Sequence, residues 1–160
     1  MRNNSIYLYL RRLSGHILTL AVAVGLMAGV SACSGPLNVP LTIEGEPDMN
    51  SGGNAAVVRL YQLSSATTFE QTPLESFWQD DEAVLEDDLI GSRTSMLLYP
   101  GDQEEITIEI LDGTRYIGVA ADLRDPDGDR WRATYTLDEV RDGGLNIRIG
   151  EQRLLVEVRD

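Results

Sequence analysis

Apolar residues recur at every second position in one short segment after another of this chain, with turn-forming residues between the segments. The clearest run is Ile106, Ile108 and Ile110 interleaved with Thr107 and Glu109 and followed by Asp112-Gly113. A period of two places alternate side chains on one face, so the pattern commits the chain to half-buried β-strands. In 37–44 the alternating set is Leu37, Val39, Leu41 and Ile43, and Pro40 points to an edge position for that strand. Segments 55–63, 93–99 and 103–111 follow, and 115–123 is apolar almost throughout, as a strand covered on both faces would be. Segments 130–137, 145–149 and 154–158 complete the set. Asp112-Gly113 is expected to close a hairpin between 103–111 and 115–123, and Gly150-Glu151 one between the last two segments. Short strands with frequent turns predict an all-β fold, an antiparallel β-sandwich of about eight strands.

Two stretches interrupt the alternation. Segment 45–54 is dense in turn formers and is expected to be a loop exposed to solvent. Segment 64–90 is too long for a simple connection and predicts a small helical insertion. Within it Thr72-Pro73-Leu74-Glu75 has a capping threonine, a proline at the first helical position and a glutamate three residues after the cap. Leu74, Phe77 and Trp78 fall at helical spacing and should pack on the body of the domain. A second short helix is expected over 81–85, starting with acids that suit the positive end of a helix dipole.

Ahead of the first strand, a leader with Arg2, Arg11 and Arg12 runs into an apolar stretch over 17–30, then Ser31, Ala32 and Cys33, the sole cysteine. This is the layout of a secretory signal peptide over 1–32. The apolar stretch falls short of the roughly 20 helical residues that span a bilayer. Val30-Ser31-Ala32-Cys33 resembles a bacterial lipobox, which implies cleavage before Cys33 and a covalent lipid on it. Each buried methylene contributes about 0.8 kcal/mol and one chain alone holds marginally, so two or three chains make a stable anchor. Ser34, in place of an aspartate, points to the outer membrane within that resemblance. The other reading is an ordinary signal peptide that leaves a free thiol. Residues 33–36 then form a tether and 37–160 the sandwich domain.

Loss of 1–32 would remove three of 13 arginines and none of 26 acids, leaving ten basic against 26 acidic residues, a formal charge of −16. Phosphate backbones are bound by neutralising Lys and Arg, so no nucleic-acid partner is expected. The chain has no lysine, and its single histidine, His16, lies in the leader. Serine–histidine and cysteine–histidine catalysis, lysine Schiff bases and His/Cys zinc sites therefore lack their residues in the mature chain. No enzyme activity, cofactor or small-molecule substrate is expected beyond the lipid on Cys33, and the fold must rest on its apolar core without a disulfide.

Three groups remain as site candidates. Asp125, Asp127 and Asp129 alternate as in calcium loops, but Arg130 and Thr136 stand where an EF-hand needs glycine and glutamate. A tight turn is the competing reading. Asp80, Asp81 and Glu82 with Glu86, Asp87 and Asp88 offer paired carboxylates of a glycosidase type, or a solvated face with a helix start. Trp78 and Trp131 either line a ligand groove or fill the core.

The stretch Val57-Val58-Arg59-Leu60-Tyr61-Gln62-Leu63, the region from Phe69 to Trp78 leading into Asp80-Asp81, then Tyr99-Pro100-Gly101, and Tyr116 to Ala121 through Arg124-Asp125 to Trp131-Arg132, resemble the TssJ family of type VI secretion system lipoproteins. The likeness runs in order over nearly the whole mature chain. It implies a transthyretin-like β-sandwich on the periplasmic face of the outer membrane that binds the periplasmic C-terminal domain of the inner-membrane protein TssM. In this family the loop joining the first two strands is implicated in that contact. By position it comprises Pro47, Asp48, Met49, Asn50, Ser51, Gly52, Gly53 and Asn54. Met49, its one apolar side chain, is expected to anchor in the partner's pocket. The alternative is a lipid-anchored carbohydrate- or calcium-binding module using Asp125 to Asp129, and an enzyme working through carboxylates alone is a third.

Overall fold

The computed structural model describes residues 35–159, so the expected leader, Cys33 and Ser34 lie outside the described residues. Eight strands form: β1 (Asn38–Gly45), β2 (Ala56–Leu63), β3 (Thr94–Leu98), β4 (Gln103–Glu109), β5 (Tyr116–Ala121), β6 (Arg132–Thr136), β7 (Leu145–Ile149) and β8 (Leu154–Val158). They build two four-stranded sheets, ordered β4-β1-β7-β8 and β3-β2-β5-β6. Val39, Leu41 and Ile43 of β1 join Leu145, Ile147 and Ile149 of β7 in the core against Val58, Leu60, Ile117 and Val119 of the other sheet. Burying each such side chain contributes roughly 1.5–3 kcal/mol. The fold is the all-β sandwich that the alternation predicts.

The pairing corrects three details. β1 and β7 run parallel, Leu41 opposite Leu145, whereas the other pairs are antiparallel. Pro40 does not mark an edge, since β1 lies between β4 and β7. It is tolerated because pairing with β7 starts only at Leu41, so Pro40 has a strand neighbour on one side alone, Thr107 of β4. Asp112-Gly113 does not close a hairpin, because β4 and β5 belong to different sheets and the turn carries the chain across the sandwich. The β7–β8 hairpin forms as expected, Ile149 opposite Leu154.

A third layer covers the outer face of the β3-β2-β5-β6 sheet. It holds α1 (Thr67–Gln71), α2 (Leu74–Gln79) and α3 (Asp81–Val84); α4 (Leu137–Val140) follows β6. Gly118 admits this layer, since a Cβ there would lie 3.2 Å from the Phe69 ring and from Leu63 Cδ1. Phe77 sits 5.4 Å from Phe69, 5.6 Å from Tyr61 and 5.0 Å from Trp131 between ring centroids, in tilted and edge-on arrangements that such quadrupoles favour. The expected capping box at Thr72 is absent. Thr72 instead closes α1, its hydroxyl donating to Thr68 O at 2.6 Å, and Pro73 takes the N-cap position of α2. The box that does form is Thr136 with Glu139 at the start of α4.

Candidate functional site

The β1–β2 loop turns at the end of the sandwich where the β3–β4, β5–β6 and β7–β8 links also lie. Gly101 N donates to Gly45 O at 2.8 Å, Glu46 N to Ile149 O at 2.9 Å, Asn50 N to Gly150 O at 3.1 Å and Ser51 N to Glu151 O at 2.8 Å. From Asn50 the backbone turns left-handed for four successive residues, with φ of 49° at Asn50, 60° at Ser51, 89° at Gly52 and 87° at Gly53. Glycine adopts this freely, but for Asn50 and Ser51 it costs roughly 1–2 kcal/mol each. The hydrogen bonds just named, with Gly52 N to Asp48 O at 3.2 Å and Asn54 N to Met49 O at 3.0 Å, hold the turn.

The eight loop residues divide by exposure. Pro47, Asp48, Ser51, Gly52 and Gly53 are exposed and Asn54 is half-buried, but Met49 and Asn50 are buried. Met49 therefore cannot be a partner's anchor: it has no exposed surface and belongs to the core cluster. Gly45 makes this possible, since a Cβ there would come within 2.6 Å of Met49 Sδ and of Tyr99 O. The expectation of a loop exposed to solvent over 45–54 fails at these two positions and at Gly45, which is buried as the last residue of β1. The signal for Met49 was in the sequence, as a lone large apolar residue among small polar ones; nothing there pointed to Asn50.

Beside the loop lies a cleft of about 250 Å³ lined by Glu46, Asp48, Asp127, Glu151, Gln152 and Arg153. Among the described residues no three His, Cys, Asp or Glu side chains are placed to hold a metal ion. The three aspartates of the β5–β6 link turn to different partners. Asp125 Oδ2 accepts from Gln152 Nε2 at 3.0 Å, Asp127 pairs with Arg130 at 3.3 Å and Asp129 with Arg132 at 3.3 Å. The segment is a turn with its carboxylates dispersed, and it lacks the convergence that calcium coordination needs.

The second acidic group is likewise structural, and one member is not solvated. Asp81 is buried, 3.1 Å from Arg59 and 3.3 Å from Arg93, and it accepts a hydrogen bond from the Tyr61 hydroxyl. Burial, then the Asp81 hydrogen bond and charge, push the Tyr61 phenol well above its ordinary value. Asp80 caps α3, accepting from Ala83 N at 3.2 Å, and Glu82 pairs with Arg93 at 2.6 Å. Trp131 is buried and Trp78 half-buried beneath Arg59, whose guanidinium carbon lies 4.5 Å from the ring centre. Both tryptophans pack against Phe77, at 5.6 Å for Trp78 and 5.0 Å for Trp131 between ring centroids.

The geometry is that of a two-sheet sandwich with the buried Asp81 carboxylate held in ion pairs and with the β1–β2 loop hydrogen-bonded in place at one end. A family model for type VI secretion lipoproteins (VasD, EvfM, TssJ) matches residues 37–157, and the chain belongs to that family. It is a family of structural components of the secretion system, and not of enzymes. The T6SS lipoprotein TssJ1 from Pseudomonas aeruginosa is similar at 26% identity and a TM-score of 0.70, covering 79% of this chain and 98% of that one. Serratia marcescens Lip, a membrane-bound component of the type VI secretion system, is similar at 21% identity and a TM-score of 0.69, covering 79% and 99%. A chain in a structure described as the T6SS protein TssM C-terminal domain from EAEC is similar at 24% and a TM-score of 0.62, covering 75% and 97%. The last two likenesses bear on the fold alone. A search of curated proteins by sequence finds no match.

Proposed function

We propose that this chain is the outer-membrane anchoring subunit of a type VI secretion membrane complex. Its lipid sits on Cys33, its body faces the periplasm, and the exposed part of the β1–β2 loop binds the periplasmic C-terminal domain of TssM. The observation that carries the reading is the family match, which spans the sandwich from end to end. At the loop, Ser51, Gly52 and Gly53 present backbone to solvent on a turn held from beneath, which suits recognition by shape. The test is calorimetric titration of the purified lipoprotein with the TssM periplasmic domain. A double variant, Asp48→Arg with Ser51→Arg, alters two exposed side chains without touching the core, and should weaken binding at least tenfold with the melting temperature unchanged. An affinity equal to that of the unaltered protein would remove the loop from the interface.

A further inference from the structure

We infer that Asn50 is a positioning residue of the partner surface: its buried side-chain amide fixes the β1–β2 loop in one conformation, so that Ser51, Gly52 and Gly53 meet the partner already shaped. The inference rests on the loop being the TssM contact and concerns a residue that does not itself touch the partner. Asn50 is only 3% exposed. Its Nδ2 donates to Ala55 O at 2.7 Å and to Asp122 O at 3.4 Å, and its Oδ1 accepts from Arg124 N at 2.7 Å. Its backbone N donates to Gly150 O at 3.1 Å, and its own carbonyl accepts from Asn54 Nδ2 at 3.0 Å. One residue thus joins the loop to the start of β2, to the β5–β6 link and to the β7–β8 link.

The residue type follows from these demands. The site needs two donors and an acceptor on one short planar group, which among side chains of this size only asparagine provides. Aspartate would keep the acceptor for Arg124 and set a buried charge against two carbonyl oxygens. Leucine would leave all three backbone groups unpaired, and a buried group without its partner is destabilising. The position also needs φ of 49°, which asparagine tolerates better than nearly every residue except glycine. A loop fixed in this way loses little freedom when a partner closes on it, whereas a released loop must be ordered during binding, and affinity falls by that amount.

Asn50→Gly isolates the amide, because glycine keeps the left-handed backbone and removes the three side-chain bonds. The measurements are amide hydrogen exchange over the intact lipoprotein and titration with the TssM periplasmic domain. In Asn50→Gly the amides of Ser51 and Gly52 should exchange at least tenfold faster while those of β1 and β7 stay protected, and Kd should rise about tenfold. Asn50→Asp, with its acceptor kept and its donors lost, should give the same pattern and serves where the glycine variant folds poorly. Unchanged exchange at Ser51 and Gly52 would overturn the inference, as would faster exchange with an unchanged Kd. The double variant Asp48→Arg with Ser51→Arg separates the two claims. If it binds normally, the loop is not the contact, and the partner role of Asn50 falls with it. If it binds weakly while Asn50→Gly and Asn50→Asp bind normally, the loop reading stands and the positioning role of Asn50 is wrong.

Discussion

Tyr61 and Asp81 show how one buried pair couples the sandwich to the layer above it. The phenol belongs to β2 and the carboxylate to α3, and their hydrogen bond lies beneath Arg59 and Arg93, both of which pair with Asp81. Burial first, then Asp81, raises the Tyr61 phenol in the folded state, so the neutral form is favoured there. A raised folded value contributes stability that is complete below the ordinary phenol value near 10 and is lost as pH rises beyond it. For each such phenol the loss amounts to about 1.4 kcal/mol per pH unit above that point. Tyr135 is raised in the same direction, by burial and then by Glu139 and Glu157, and adds to the alkaline slope. Urea unfolding between pH 7 and pH 11 checks this. Tyr61→Phe should lower stability at pH 7 by about 1.5–3 kcal/mol, the worth of a hydrogen bond to a charged group, and should make the alkaline decline shallower. An unaltered slope would remove Tyr61 as its source. Only the aromatic character of Tyr61 and the acidity of the segment were legible in the sequence. That Asp81 alone among six acids is buried depends on Arg59 and Arg93, which are distant from it along the chain, meeting it in the fold.

Among the elements, the strands, the β7–β8 hairpin and the helical character of 64–90 were legible, and the remaining connections were not, for a physical reason. A period of two, or an unbroken apolar run where both faces are covered as in β5, is a property of the strand itself, and such patterns with the turn signals between them located all eight strands to within a few residues. A turn sequence such as Asp112-Gly113 fixes a local reversal but not whether the flanking strands pair, and here they lie in opposite sheets. The helices α1 to α3 have four to six residues, too few for an apolar face to repeat, so Thr72 read as a cap when it ends the preceding helix. What holds these short helices is tertiary. Arg132 of β6 donates from Nη1 to Phe69 O and Thr72 O, both at 2.6 Å, closing the end of α1, and its guanidinium carbon lies 4.6 Å from the Trp131 ring centre. Arg132→Ala should therefore release α1 and α2 before the sandwich, with exchange over 67–79 accelerating and stability falling by about 1.5–3 kcal/mol per lost charge-assisted bond. Lysine should rescue little, because a single ammonium does not reproduce the planar fork or the stacking. Uniform exchange changes across both sheets would show that the insertion and the sandwich unfold as one.

At the scale of the molecule, β1 sets the separation between the two features on which the proposed role depends. It runs eight residues from Asn38 to Gly45, with Leu37 just before it and the β1–β2 loop just after. At about 3.3 Å per residue the strand spans roughly 23 Å, so the tether joins the sandwich at the end away from the loop. The strand is paired on both sides, with β4 over its whole length but for Gly45 and with β7 from Leu41 onward. In the proposed role the lipid and the loop contribute through separate parts of the chain, the one ahead of β1 and the other after it. The two functions should then be separable by substitution. Cys33→Ser should abolish lipid attachment and move the protein from the outer-membrane fraction to the soluble periplasmic fraction. Binding to the TssM periplasmic domain, titrated with that soluble protein, should be unchanged. Retention of Cys33→Ser in the outer membrane would place the anchor elsewhere, and loss of TssM binding in the soluble variant would mean that the two ends of β1 do not act independently.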